Sequence, residues 1–150
     1  MSAGFHWEVE TPELSEDAAR AALEAALALG GRPGARLDVV FATERTLRGL
    51  HERFLGDPSP TDVLAFDLGA GEEGPEGEVY VGVECARRTA GQRGVAVARE
   101  LCLYLVHGVL HLCGFDDGAE PERATMRAAE RRVLDGLGYA PDDGPHDVHD

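Results

Sequence analysis

The sequence predicts one α+β domain, a small mixed four-stranded sheet packed with helices around a buried central helix. Three observations predict it. Four short stretches have the period-two alternation or the compact apolar character of strands, and five longer ones have the spacing of helices. One of those five, residues 95–112, has almost no polar face and so belongs inside. The chain has 150 residues, 43% of them hydrophobic, which suffices for a single core.

Residues 5–9 (Phe-His-Trp-Glu-Val) alternate and are expected to form the first strand. Ser15 caps a helix over 18–29, with Glu16 and Asp17 suited to its positive end and Gly30-Gly31 closing it. Residues 37–41 form the second strand, and Thr43 caps a helix that runs to Leu55. A Gly-Asp-Pro-Ser-Pro loop leads to a third strand over 61–68. Residues 69–77, rich in glycine and glutamate, make an exposed loop to a fourth strand over 78–84, and the pair is expected to be an antiparallel hairpin. Helices follow over 85–93, 95–112 and 122–137. Arg123, Arg127, Arg131 and Arg132 on the last helix are expected on its solvated face. Residues 140–150 read as a flexible acidic tail, in which His146 and His149 could meet only a stray metal. The single domain is expected to span residues 1–150.

Composition narrows the function classes. The net charge is −14, and with no lysine all fourteen basic residues are arginine. Such a chain has no electrostatic footprint for nucleic acid over its whole surface, although a local arginine patch stays open, and no DNA partner is expected. No apolar run is long enough to span a membrane, and residues 1–10 lack the basic start and apolar stretch of a secretory signal, so a cytoplasmic location is expected. The three cysteines, Cys85, Cys102 and Cys113, are an odd count without framework spacing and argue against a disulfide fold. Cys102 reads as core. Cys113 could be a soft ligand, but two residues beyond His111 it points away from it.

The chemistry concentrates in His107-Gly-Val-Leu-His111-Leu-Cys-Gly-Phe-Asp-Asp117. On a helix, positions four apart differ by about 40° around the axis and about 6 Å along it, so His107 and His111 can meet one metal ion. Gly114 can end the helix and return Asp116 or Asp117 towards that ion. Two imidazoles and a carboxylate make a common open zinc site, which lowers the pKa of a water in the fourth position. Zinc peptidases carry a glutamate general base directly after the first histidine; Gly108 stands there and counts against peptide hydrolysis.

His-Gly-x-Leu-His-Leu-x-Gly-Phe-Asp resembles the signature of the YbeY endoribonucleases. Pro60-Thr-Asp-Val-Leu-Ala-Phe66 is similar to that family's Pro-Thr-Asp-Val-Leu-Ser-Phe strand, and Gly77-Glu-Val79 stands where the family has Gly-Asp-Ile. The resemblance spans about Phe5 to Tyr139. It implies an α+β fold related to the zincins and a hydrolase that uses one Zn2+ ion to cut single-stranded RNA, chiefly the 3′ end of 16S rRNA. It also implies a role in ribosome quality control, with single-stranded rRNA and the small ribosomal subunit as partners. On this reading His107, His111 and Asp117 hold the metal and act through its water.

The sequence departs from the family at two places. The third histidine is Asp117, with Asp116 as the fallback, and an arginine thought to hold phosphate is Leu55. Arg53 faces differently and is no simple substitute. Arg87, Arg88 and Arg93 are the candidates to meet phosphate instead. His51 replaces an asparagine and is either a surface residue of its helix or a polar contact facing the site. Thr61 and Asp62 either cap the turn before the third strand or line the substrate groove. Phe66 and Tyr80 could stack unpaired bases or pack on the sheet. Three other classes remain open: a metalloprotease, a ribosome-associated protein with a structural metal and weakened nuclease activity, and a small-molecule zinc hydrolase.

Overall fold

The computed structural model describes residues 3–57, 59, 61–69, 74–139 and 148. The elements run β1 (Ala3–Trp7), α1 (Glu16–Leu29), β2 (Leu37–Ala42), α2 (Glu44–Leu55), β3 (Val63–Asp67), β4 (Gly77–Gly82), α3 (Val83–Arg93), α4 (Val97–Leu112) and α5 (Glu122–Gly136). Ser15 and Thr43 cap α1 and α2 as their types suggest, each hydroxyl oxygen accepting from a backbone N–H three residues on, at 3.1 Å.

The sheet order is β1-β2-β4-β3. β1 and β2 pair in parallel, as do β2 and β4, while β3 and β4 form the expected antiparallel hairpin, so the sheet is mixed. The first and fourth strands end sooner than alternation suggests. The chain leaves β1 after Trp7, whose ring stacks on Phe41 with centroids 4.1 Å apart. Strand β4 stops at Gly82 because α2 and the start of β3 close over it. A side chain at Gly82 would begin 2.8 Å from Leu47 and 2.9 Å from the carbonyl oxygen of Asp62, and that oxygen already takes the Gly82 N–H at 2.8 Å. Val83 and Glu84 therefore open α3 instead of prolonging the strand.

Helix α4 is the organising element. Every residue from Arg99 to Leu110 is buried, and Leu101, Tyr104, Leu105 and Leu110 are fully so. Burial of each such side chain is worth about 1.5–3 kcal/mol relative to exposure. Helices α1, α3 and α5 surround α4, and one face of the sheet packs on it. The opposite face carries a smaller cluster in which Ala42, Leu64 and partly buried Val40, Phe66 and Tyr80 meet Leu47 and Leu50 of α2. Phe66 and Tyr80 thus pack in an edge-to-face row with Phe54, at centroid distances of 5.3 and 5.9 Å.

At Gly108, α4 lies close against the sheet. A Cβ there would lie 2.6 Å from Val79 Cγ1 and 3.1 Å from Val63 Cγ2. The absence of the peptidase glutamate has this physical correlate: position 108 faces two strand valines, with no room for a longer side chain. Gly108→Ala is expected to lower stability by about 1–3 kcal/mol through overpacking, despite alanine's better helix propensity. A urea titration measures it, and an unchanged or higher midpoint would refute the close-approach argument.

Among the described residues no helix is long and apolar enough to cross a membrane. Apart from Val148, which is buried in the core, the tail over 140–150 with His146 and His149 lies outside the described residues.

Candidate metal centre

The centre forms where α4 ends. Cys113 follows the last helical residue, and Gly114 takes a positive φ of 102°. The Gly114 N–H donates to His111 O and the Phe115 N–H to Leu110 O, the paired bonds that close a helix on a left-handed glycine. The reversal that Gly114 suggests from sequence is therefore present, and it returns Asp117 over the last turn of the helix.

His107 is fully buried, whereas the His111 side chain is 36% exposed. The two rings meet edge to face with centroids 5.7 Å apart. Asp117 lies between them, Oδ2 at 3.4 Å from His107 Nε2 and Oδ1 at 3.6 Å from His111 Nε2. One ligand atom from each residue falls within 4.8 Å of the others. Donors about 2.0–2.2 Å from a tetrahedral ion stand roughly 3.3–3.6 Å apart, a range that the two Asp117–imidazole distances meet, and two imidazoles with a carboxylate are a donor set suited to an ion such as Zn2+. Asp116 is turned away: its Oδ1 accepts from the Gly118 N–H at 3.1 Å. Of the two acids after Gly114, only Asp117 reaches the imidazoles.

The elements around the cluster hold it in place. Glu130 of α5, 3% exposed, accepts from His107 Nδ1 at 2.6 Å. Arg127 donates through NH1 to both oxygens of Glu130, at 3.2 and 3.3 Å. Arg123 donates to the carbonyl oxygens of Asp117 and Gly118, both at 3.2 Å, and so fixes the returning loop. The reading of Arg123 and Arg127 as a merely solvated face is thereby corrected. Sequence reasoning missed Glu130 altogether; the available signal was an acid on the buried stripe of α5, four residues beyond Met126. At the far side of the helix end, Arg32 donates to Leu112 O at 3.0 Å and is paired with Glu76 at 3.1 Å.

Among the described residues, the other sequence candidates supply no ligand atom to this cluster. Thr61 and Asp62 are buried at the entry to β3. The Thr61 hydroxyl bonds Val63 O at 3.3 Å, and Asp62 Oδ1 accepts from the Cys85 thiol at 2.7 Å. Burial, and then the Asp62 carboxylate, push the Cys85 thiol up to about 11. Arg87 is held by Glu13, at 2.7 and 3.0 Å, and by Glu10 O at 2.9 Å. It lines a different cleft of about 740 Å3 along α2, and Arg88 pairs with Glu44. His51 is buried, not a surface residue, and its Nδ1 lies 2.9 Å from Ser59 O, so it ties α2 to the loop before β3. Leu55 is 61% exposed. Cys113 contributes no ligand atom to the cluster; its sulfur packs against Gly30, where a Cβ would lie 2.5 Å away.

The same residues that build the centre carry a family pattern. The family model described as Endoribonuclease YbeY matches residues 5–138, which take in β1 from Phe5 onward, every later element and the whole cluster. The chain belongs to the YbeY family. An endoribonuclease YbeY of Pelotomaculum thermopropionicum is 39% identical over 122 residues, covering 77% of this chain and 80% of its own length. The Geobacter sulfurreducens YbeY protein is 34% identical over 122 residues, covering 77% and 81%. That of Salinibacter ruber is 36% identical over 113 residues, covering 70% and 72%. The solution structure of a Thermotoga maritima protein shares the fold, with a TM-score of 0.59 over 96% of this chain and 99% of its own, at 21% identity. YbeY membership thus agrees with the α+β architecture and with the histidine motif at the end of α4.

Proposed function

We propose that this YbeY-family chain is a zinc-dependent endoribonuclease that cuts single-stranded RNA, with the 3′ end of 16S rRNA as its substrate in ribosome maturation and quality control. The observation that carries the chemistry is the meeting of His107, His111 and Asp117 at a helix end where His111 is open to solvent. The relatives named endoribonucleases carry the substrate class. His107 and His111 would hold the ion through Nε2, and Asp117 through its carboxylate. A zinc ion supplies Lewis acidity for activating water and neutralising phosphoryl charge. The buried side of His107 keeps solvent from the rear of the centre, while the exposed edge of His111 leaves the front open to a phosphodiester. Thr61 and Asp62 are buried at the entry to β3, where their side-chain bonds support the strand. Arg87 would have to leave Glu13 to meet a phosphate, which makes an exposed substrate contact there conditional on that exchange.

The deciding experiment offers the zinc-loaded protein a single-stranded 16S rRNA 3′ segment, the same segment in a duplex, and casein. Internal cleavage of the single strand alone, lost on chelation and restored by zinc, is expected. Zinc bound without cleavage of any RNA would sink the nuclease reading and leave a metal-binding protein. Casein hydrolysis would sink it in favour of a protease.

A further inference from the structure

We propose that Glu130 is a positioning residue of the metal centre, held in its working orientation by Arg127, so that the side chains of α5 set how α4 presents His107. This inference deepens the metal-site reading above and rests on it. A carboxylate offers only acceptors, so the 2.6 Å contact to Glu130 Oε2 places a proton on His107 Nδ1. With that proton committed, the Nε2 lone pair is directed at the Asp117 side of the ring, where the other ligand atoms stand. Without Glu130 a neutral imidazole could carry its proton on either nitrogen, and one of the two tautomers cannot bind a metal through Nε2. The ring orientation is fixed by the same bond, because His107 is fully buried and touches Glu130 from one nitrogen and Asp117 from the other.

Arg127 completes the arrangement. A carboxylate 3% exposed is costly to bury unless it is paired and hydrogen-bonded. NH1 of Arg127 lies on both of its oxygens, three residues earlier on the same helix. Glu130 therefore has a neighbour on each side, a guanidinium towards the surface and an imidazole towards the core. Arg123, one helical turn before Arg127, grips the carbonyl oxygens of Asp117 and Gly118. One face of α5 thus carries three side chains that orient two of the three proposed ligands, one through its ring and the other through its backbone.

The test uses the full chain with Glu130→Gln, which nearly preserves volume, and Arg127→Ala. Two readouts are needed, zinc affinity by competition with a chromophoric chelator and the 15N shifts of the histidine rings in the metal-free protein at a pH where the imidazoles are neutral. For Glu130→Gln we expect zinc affinity to fall about 10–100-fold, the usual cost of losing an outer partner of a metal-ligating histidine. The His107 shifts should move from the Nδ1–H pattern towards a mixture of tautomers. Arg127→Ala should give a smaller loss of the same kind, and thermal melts of the metal-free variants control for folding. Unchanged affinity with an unchanged His107 tautomer in Glu130→Gln overturns the proposal, as does a loss of affinity matched by a loss of folded protein. If wild type binds zinc and responds in this way but cuts no RNA, the nuclease reading fails while the positioning role stands. If wild type binds no metal, the tautomer shift alone decides the positioning role.

Discussion

His111→Ala is expected to remove zinc binding and RNA cleavage together while leaving the fold intact. The choice of this histidine over its partner follows from burial. The His111 side chain is 36% exposed at the mouth of the centre, so truncating it opens no large internal cavity. His107→Ala, by contrast, would leave the buried Glu130 carboxylate without its imidazole, and breaking a buried ionic contact typically costs about 3–5 kcal/mol. A loss of activity in that variant would not separate chemistry from folding. In His111→Ala, zinc content by mass spectrometry of the native protein should fall to near zero at stoichiometric metal. Cleavage should drop at least about 100-fold, more than the cost of an outer partner, because a direct donor is gone. The thermal midpoint of the metal-free protein should stay close to wild type. Full activity in a variant that holds no zinc would refute a metal-dependent mechanism at this site.

The second large effect is expected at Asp117. Its two oxygens lie 3.4 and 3.6 Å from the two Nε2 atoms, so it is the only acid placed to complete the set among the described residues. Asp117→Ala should lower zinc affinity by at least about 10-fold, on the same scale as other losses at metal sites. Asp117→His should keep or raise it, since imidazole is an equally competent zinc ligand. The two substitutions also separate charge from ligation. A carboxylate reduces the net charge of the centre and leaves the activated water less acidic than a third imidazole would. In Asp117→His the rising limb of the pH–rate profile should therefore move to lower pH, with the sign set by loss of the negative ligand. Equal zinc content in wild type, alanine and histidine forms would show that Asp117 is no ligand.

Several features of this fold were legible one element at a time. Ser15 and Thr43 are caps because their hydroxyls suit the start of a helix, and the run 95–112 holds the buried central helix because it has almost no polar face, its residues Arg99 to Leu110 being interior. The hairpin of β3 and β4 follows from two short strands on either side of a glycine-rich loop. Strand and helix ends were less legible. Whether Val83 and Glu84 continue a strand depends on Leu47 and Asp62, which press on Gly82 from elsewhere in the chain. The departure of Arg123 and Arg127 from a solvated face has the same origin, since helical periodicity says which residues share a face but not what stands opposite them.

By itself the sequence determined the pair His107 and His111, the turn at Gly114 and the absence of a peptidase base at Gly108. Each depends on residue type and on spacing within a few residues, which helical geometry converts into position. Only the tertiary structure decided that Asp117, not Asp116, reaches the imidazoles, and that Glu130 stands behind His107. Those outcomes depend on where α5 docks against α4 and on the hydrogen bonds that anchor the returning loop. They join residues brought together by packing, and no local rule in the chain contains that information.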